Sequence, residues 1–327
     1  MKLPRKLCMN RRQIILASTM AALTPAVSAA QTSAAPEPGD SIIELWPGGP
    51  PGGGKVTVQE EIVERLPDGP MRDRFAQHVT RPTLTLFKPR IAYNGITLLI
   101  VPGGGYVRVV IDKEGVEAAE WFTERGFAAA VLRYRLPADG WANGADAPVL
   151  DAMRAVRLLR AHPPKDATSQ RIGVIGFSAG GHLSARLITE PGLTYASRDE
   201  ADGLASRPDF AVLMYPVIAT TGPHAHAGSA QQLLNAGVSA PELERYSPNL
   251  NVGAQTPPTM LVHAADDTSV PVENSLLMYD ALRKARVRSE LHVFDSGGHG
   301  FGLRSVAGKD VAAWPTLVQN WAANATR

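Results

Sequence analysis

Arg171-Ile172-Gly173-Val174-Ile175-Gly176-Phe177-Ser178-Ala179-Gly180-Gly181-His182 is the stretch on which the fold turns. Its first half is apolar and β-prone, the pattern of a strand buried on both faces. Its second half opens a helix over His182–Ile188. Between them, Gly176-Phe177-Ser178-Ala179-Gly180 leaves room only for a sharp turn. A serine at the tip of such a turn is pushed into a strained conformation. Its neighbours must be small, because a bulky side chain would strike the adjoining strand and helix. The helix beginning at Ala179 aims its free N–H groups back at the serine. The unit therefore presents the Ser178 hydroxyl as a candidate nucleophile at the end of a sheet.

Working outward, apolar β-type runs alternate with helical patterns from about Arg81 onward. Buried strands are expected at Ile96–Val101, Phe127–Arg133, Arg171–Phe177, Phe210–Met214, Thr259–His263 and Ser289–Phe294. Helical spacing falls between them, over Gly115–Arg125, Val149–Ala161 and Val272–Ala285, and again over Asp310–Ala323. In the third of these, Leu276, Leu277 and Leu282 are read on the apolar side. This order predicts an α/β fold with a doubly wound, mostly parallel sheet and helices on both faces. Thr83–Phe87 is expected as an antiparallel edge strand. Pro216–Pro258 is too long for a simple connection. With one short helical piece near Gln231–Leu234, it reads as a small insertion before the penultimate strand, at the mouth of the site.

A serine hydroxyl needs a base, and imidazole titrates near working pH. Of the eight histidines, His299 stands on a Gly-rich loop, Ser296-Gly297-Gly298-His299-Gly300-Phe301, directly after the last expected strand. A third group must orient that imidazole and stabilise its charged form. His263-Ala264-Ala265-Asp266-Asp267 follows the penultimate strand and offers two carboxylates, Asp266 and Asp267. His182, four residues after Ser178, is read as packing or capping, and His263 as a hydrogen-bonded core residue. His224 and His226 form an H-x-H pair without further ligands around it, so no metal or other cofactor is expected.

The formal net charge is +2. Lys2, Arg5, Lys6, Arg11 and Arg12 all precede residue 30 with no acidic residue among them; taking those five charges from the total leaves −3. A body without a basic block excludes a nucleic-acid partner. The basic start, the apolar run Ile14–Leu23 and the small residues Val27-Ser28-Ala29-Ala30 read as an export signal over 1–30. The run is short for a bilayer span, so no stable membrane insertion is expected after its removal. Asn10-Arg11-Arg12-Gln13-Ile14-Ile15 resembles a twin-arginine signal, with Asn10 in place of the usual Ser or Thr. A periplasmic or secreted protein is expected. The single cysteine, Cys8, lies ahead of the cleavage point, which leaves the mature chain without a thiol. Residues 31–80 are read as a lead-in and the start of the folded body, and 81–327 as the main domain.

Gly176-Phe177-Ser178-Ala179-Gly180 is similar to the nucleophile elbow of α/β-hydrolases, and the order Ser178, Asp267, His299 matches theirs. Asp267-Thr268-Ser269-Val270-Pro271 resembles the superfamily's D-x-x-V-P pattern, which implies Asp267 as the acid and leaves Asp266 to point elsewhere or to cap the turn. Val101-Pro102-Gly103-Gly104-Gly105-Tyr106 resembles the HGGG-type oxyanion loop, with Pro102 where His usually stands. That match implies the N–H groups of Gly104, Gly105 and Ala179 as oxyanion donors, while Pro102 in place of His leaves open which two of Gly103, Gly104 and Gly105 point inward. More narrowly, Leu45-Trp46-Pro47-Gly48-Gly49, Lys113-Glu114-Gly115, Arg133-Tyr134-Arg135-Leu136 and Gly297-Gly298-His299-Gly300-Phe301-Gly302 resemble bacterial exported esterases related to acetylxylan and feruloyl esterases. The resemblance implies a serine esterase whose partner is a small acyl ester or an acetylated plant cell-wall carbohydrate. Tyr106 and Trp141 are then candidate flat surfaces for a sugar ring, and Trp46 is structural. Two other readings compete. One is a serine peptidase of prolyl oligopeptidase type, against which the lack of an N-terminal propeller weighs. The other is an inactive carbohydrate-binding relative, against which the complete set of three residues weighs.

Overall fold

The computed structural model describes residues 39–325, apart from 166, 168, 169 and 191. The expected export signal and most of the lead-in lie outside the described residues. Along the chain, the first strands are β1 (Ser41–Glu44), β2 (Glu61–Glu64), β3 (Arg74–Gln77), β4 (Thr83–Phe87), β5 (Ile96–Val101) and β6 (Val109–Val110). A π-helical turn, Asp112–Val116, leads into α1 (Glu117–Thr123). There follow β7 (Ala128–Arg133), α2 (Ala147–Ala161), β8 (Arg171–Phe177), α3 (Ala179–Thr189), β9 (Phe210–Met214) and α4 (Ala227–Asn235). The chain closes with β10 (Thr259–Ala264), α5 (Glu273–Lys284), β11 (Ser289–Phe294) and α6 (Trp314–Asn324).

Eight of these strands form one sheet in the order β1-β4-β7-β5-β8-β9-β10-β11. β4 runs antiparallel to both of its neighbours; β7, β5, β8, β9, β10 and β11 are mutually parallel. The chain leaves β5 towards β7 and returns to β5's other side at β8. That reversal opens a crevice beyond the carboxyl ends of β5 and β8, where ligands bind in sheets of this kind. All six residues of β5 are buried, as a run apolar but for Thr97 leads one to expect of a central parallel strand.

Three expectations need correction. Thr83–Phe87 is antiparallel but not the edge, because Ser41–Glu44 pairs along its outer side in the register Ser41 to Leu86. Ser289–Phe294 is itself an edge strand and only partly buried, since among the described residues no further strand covers its outer side. On α5 the buried face is Asn274, Ser275, Met278 and Leu282, while Leu276 and Leu277 face outward, 46% and 36% exposed. Asn274 faces inward because its side chain is committed to the backbone. Its Oδ1 accepts the N–H groups of Ile218 (2.8 Å) and Ala219 (2.9 Å), and its amide donates to the His224 carbonyl.

A second, three-stranded antiparallel sheet, β2-β3-β6, was not foreseen. It delivers the chain into the π-helical turn. Arg74 clamps that turn by donating to both carboxylate oxygens of Asp112, at 2.8–2.9 Å. The insertion between β9 and β10 contains α4 and two short 3₁₀ turns. Its Leu233, Leu243 and Tyr246 bury against Ala145 and Ala230 in a small core of their own. Trp46 is structural, as expected: its indole N–H donates to Asp151 (2.6 Å). The same carboxylate takes the guanidinium of Arg135 in a fully buried pair. Arg135 Nη1 and Nη2 also donate to the carbonyls of Pro51 and Ala147, the further hydrogen bonds that a buried ion pair needs.

Candidate active site

Ser178 stands between β8 and α3 with φ 53° and ψ −117°, a conformation costly for a residue with a Cβ. The backbone around it makes this unavoidable. Its N–H donates to Met214 O (3.0 Å), and its carbonyl accepts from His182 and Val217 (both 3.1 Å). Close packing requires glycine alongside: a Cβ on Gly180 would lie 2.2 Å from the Val101 carbonyl oxygen. The serine hydroxyl meets His299 Nε2 at 2.8 Å, and His299 Nδ1 meets Asp267 Oδ2 at 2.7 Å. With a carboxylate on Nδ1, that nitrogen carries the proton and Nε2 is free to accept one. The arrangement can remove a proton from Ser178 Oγ and hold the resulting imidazolium.

The two neighbouring carboxylates are clearly divided. Asp267 is buried. Burial pushes its pKa up, but hydrogen bonds from His263, His299 and the Val270 N–H outweigh this and hold it well below the usual carboxylate range. Its Oδ1 accepts the N–H groups of Ser269 and Val270, both at 2.9 Å. Asp266 is exposed and points away. Its Oδ1 accepts the N–H groups of Gly297 (2.8 Å) and Gly298 (2.7 Å), fastening the loop that carries His299. His263 is a fully buried core residue. Its Nδ1 accepts from Ser275 Oγ (2.7 Å), and its Nε2–H points to Val270 O (2.9 Å) and Asp267 Oδ2 (3.3 Å).

The glycine loop after β5 borders Ser178. A Cβ on Gly103 would lie 2.9 Å from the Ser178 Cβ. The Gly103 N–H is taken: it donates to Glu114 Oε2 at 2.8 Å. Among the described residues, no protein acceptor takes the N–H groups of Gly104, Gly105 or Ala179. The loop is held from several sides. Tyr134 O–H donates to Pro102 O (2.8 Å), and the Gly103 and Gly104 carbonyls accept from Val110 and Arg108.

The two aromatic residues expected to stack on a sugar do not present their rings to solvent. Tyr106 is 1% exposed, and its hydroxyl donates to His182 Nδ1 (2.7 Å). Trp141 is 6% exposed and lies against the Arg135 guanidinium. His182 in turn donates from Nε2 to the Tyr246 carbonyl (2.7 Å), tying α3 to the insertion. Burial and the nearby Arg186 charge push His182 down to about 3, so it stays neutral. His224 and His226 do not form a ligand pair: His226 Nδ1 caps α4 by accepting from Ser229 N–H and Oγ–H. Burial lowers the pKa of His226, with a further push from His299. Among the described residues, no group of three His, Cys, Asp or Glu side chains is placed to hold a metal ion. Two residues near the site escaped the sequence reading of roles. Glu114 stands in the sequence only within the Lys113-Glu114-Gly115 motif, with no role attached, and Tyr215, whose ring lies 5.2 Å from that of His299, carries no signal.

The endo-1,4-beta-xylanase B of Butyrivibrio fibrisolvens is 36% identical over 204 residues, 62% of this chain and 32% of that protein. The acetylxylan esterase of Xylanibacter ruminicola is 34% identical over 215 residues, 64% of this chain and 42% of that protein. The chain thus spans less than half the length of either curated relative. Among solved structures, the acetyl ester-xyloside bifunctional hydrolase of Caldicellulosiruptor lactoaceticus superposes with a TM-score of 0.68 at 34% identity, covering 87% of this chain and 96% of that one. The prolyl oligopeptidase family model matches residues 117–325, a span that runs from α1 to the end of α6 and contains Ser178, Asp267 and His299. With its doubly wound sheet, its serine-tipped turn and that match over most of its length, the chain belongs to the prolyl oligopeptidase family of α/β-hydrolases.

Proposed function

We propose that this chain is a serine carboxylic-ester hydrolase that removes small acyl groups, acetyl above all, from plant cell-wall carbohydrate. The observation that carries the reading is the continuous Asp267–His299–Ser178 hydrogen-bond chain beside three N–H groups without a protein acceptor. Ser178 Oγ attacks the ester carbonyl as His299 Nε2 takes its proton. The oxyanion that forms is met by the N–H groups of Gly104, Gly105 and Ala179, fixed in advance by the loop and the helix start. The tetrahedral intermediate expels the alcohol, which leaves with the proton from His299, and an acyl-Ser178 ester remains. Water then repeats the sequence: His299 takes its proton, the acid departs and Ser178 is regenerated.

The acyl preference rests on the insertion. An apolar tunnel needs large side chains to line it, but Leu233 and Leu243 are buried in the insertion's own small core with Leu234 half-buried against it, Ile218 is buried in the main core, and Val217 is buried as well. Each methylene held in an apolar pocket would add up to about 0.8 kcal/mol; without such a pocket, long chains gain nothing. The carbohydrate side rests on likeness to proteins named acetylxylan esterase and acetyl ester-xyloside hydrolase. In the same reading residues 1–30 export the protein by the twin-arginine route, 31–80 lead into the body and 81–327 form the catalytic domain.

Family membership favours a second reading, a peptidase. One substrate panel separates the two: p-nitrophenyl esters from acetate to octanoate, aminoacyl p-nitroanilides, and acetate release from acetylated xylan, pectin and xyloglucan. The ester reading expects kcat/KM to fall with acyl length and the anilides to be cleaved far more slowly than the acetate ester. A kcat/KM that climbs with chain length marks a lipase-like enzyme, and faster anilide cleavage a peptidase.

A further inference from the structure

Glu114 lies in the π-helical turn, 5% exposed, and its two carboxyl oxygens are used on two different loops. Oε2 accepts the Gly103 N–H at 2.8 Å, on the loop that carries the free N–H groups. Oε1 accepts the Tyr215 O–H at 3.0 Å. Tyr215 reaches the other half of the site: its ring meets that of His299 edge-on at 5.2 Å, and its oxygen accepts the Gly302 N–H at 3.3 Å. The Gly302 carbonyl is itself fastened by the Trp314 indole N–H (2.8 Å). One carboxyl group thus spans the glycine loop and the His299 loop.

Both the turn and the tyrosine are unusual in backbone. A π-helical turn is a deformation found often at functional sites. Tyr215 has φ 36°, a left-handed value a non-glycine residue holds only when its surroundings force it. Ser178 (53°) and Tyr106 (62°) share that condition, and all three stand just beyond the carboxyl ends of the central strands. Burial, reinforced by the Glu114 charge, pushes the Tyr215 phenol well above its ordinary value, so it remains a donor. The chain fixes the turn from outside through the Arg74–Asp112 pair.

We infer that Glu114 is a positioning residue, a clamp that sets the oxyanion loop and the His299 loop at a fixed separation through Gly103 and Tyr215. It does not touch substrate. By occupying the Gly103 N–H it turns that peptide away from the oxyanion, and it leaves Gly104 and Gly105 as the loop's donors. The inference rests on the esterase reading above. A clamp of this kind acts where geometry matters most, in the tetrahedral state, because a donor displaced by a fraction of an ångström binds a ground-state carbonyl almost as well as before.

The test compares wild type, Glu114→Gln, Tyr215→Phe and the double variant on p-nitrophenyl acetate. Benzeneboronic acid, which forms a tetrahedral adduct on a serine oxygen, serves as the probe of that state. Glu114→Gln should lower kcat roughly 30- to 100-fold with KM within about twofold, and weaken boronate binding by the same factor. Tyr215→Phe keeps the ring against His299 and should lower kcat about fivefold. The double variant should be no worse than Glu114→Gln alone, since both break one unit. A kcat near wild type in both single variants, or a lower kcat with unchanged boronate affinity, overturns the clamp. If Glu114→Gln does not fold, Tyr215→Phe decides alone, and an unchanged kcat overturns it. Wild-type protein inert to both ester and boronate overturns the esterase reading and the clamp with it; variants that match an active wild type overturn the clamp only.

Discussion

The two halves of the site are built by opposite means. Around Ser178, the geometry is made of backbone: strained φ angles, glycines without room for a Cβ, and N–H groups aimed by a helix start and a loop. Around His299, it is made of side chains. Asp267 orients the ring, Asp266 fastens the loop and His263 braces Asp267. A backbone-built half should survive loss of its functional atom unchanged. A half built from side chains should fail in steps, each set by which hydrogen bond is lost.

The largest effect should come at Ser178. Ser178→Ala removes Oγ and nothing that holds the turn, so kcat should fall by on the order of 10⁶ while the thermal melt stays where it was. An inactive variant that also melts much lower would show that the hydroxyl helps to hold the turn, and would break the comparison. On the other side, the paired carboxylates offer a graded test. Asp267→Asn places an amide N–H₂ against His299 or against its own backbone donors, forces the wrong tautomer and should cost roughly 10⁴ in kcat. Asp266→Asn keeps an oxygen for the Gly297 and Gly298 N–H groups and should cost less than about tenfold. Steady-state kinetics on p-nitrophenyl acetate measures both, and reversed magnitudes would assign the acid to Asp266.

The smallest effect is on stability. His182, behind the Ser178 turn, is held neutral, pushed from 6.5 down to about 3 by burial and then by Arg186. Between those values the unfolded chain binds a proton that the folded one refuses. Stability therefore falls as pH drops below about 6.5 and is untouched by this group above it. His182→Gln should flatten the decline of the melting temperature between roughly pH 6.5 and 4.5. An identical slope in the two proteins would mean that His182 is not what makes the fold acid-sensitive.

The same division explains what the sequence made legible. The Ser178 half is written in missing side chains, and a run such as Gly176-Phe177-Ser178-Ala179-Gly180 between a strand and a helix has few other uses. The central strands are likewise readable, because Ile96–Val101 is apolar but for Thr97, Phe210–Met214 is apolar throughout, and both are buried throughout. Asp266 and Asp267 are chemically identical neighbours: the D-x-x-V-P resemblance points to Asp267, and in the structure the Ser269 and Val270 N–H groups, His263 and the loop after β11 set it apart. Edges were hard for a similar reason. Ser41–Glu44 is short and half polar, and it becomes a strand only because β4 offers an unpaired side. Tyr106 looked like a surface for a sugar since nothing local marks it for burial; its partner, His182, lies 76 residues away. Glu114 and Tyr215 meet across 101 residues, and neither stands in a pattern that periodicity could expose.

In the proposed reaction Ser178 is a nucleophile made reactive by its surroundings. Treatment with diisopropyl fluorophosphate, followed by intact mass and peptide mapping, tests it most directly. The reagent phosphorylates an activated serine with loss of fluoride and leaves ordinary hydroxyls alone. One adduct per chain is expected, on Ser178, with activity lost in proportion and no adduct in Ser178→Ala. A protein that stays unlabelled, or that carries its adduct on another residue while activity disappears, would contradict it.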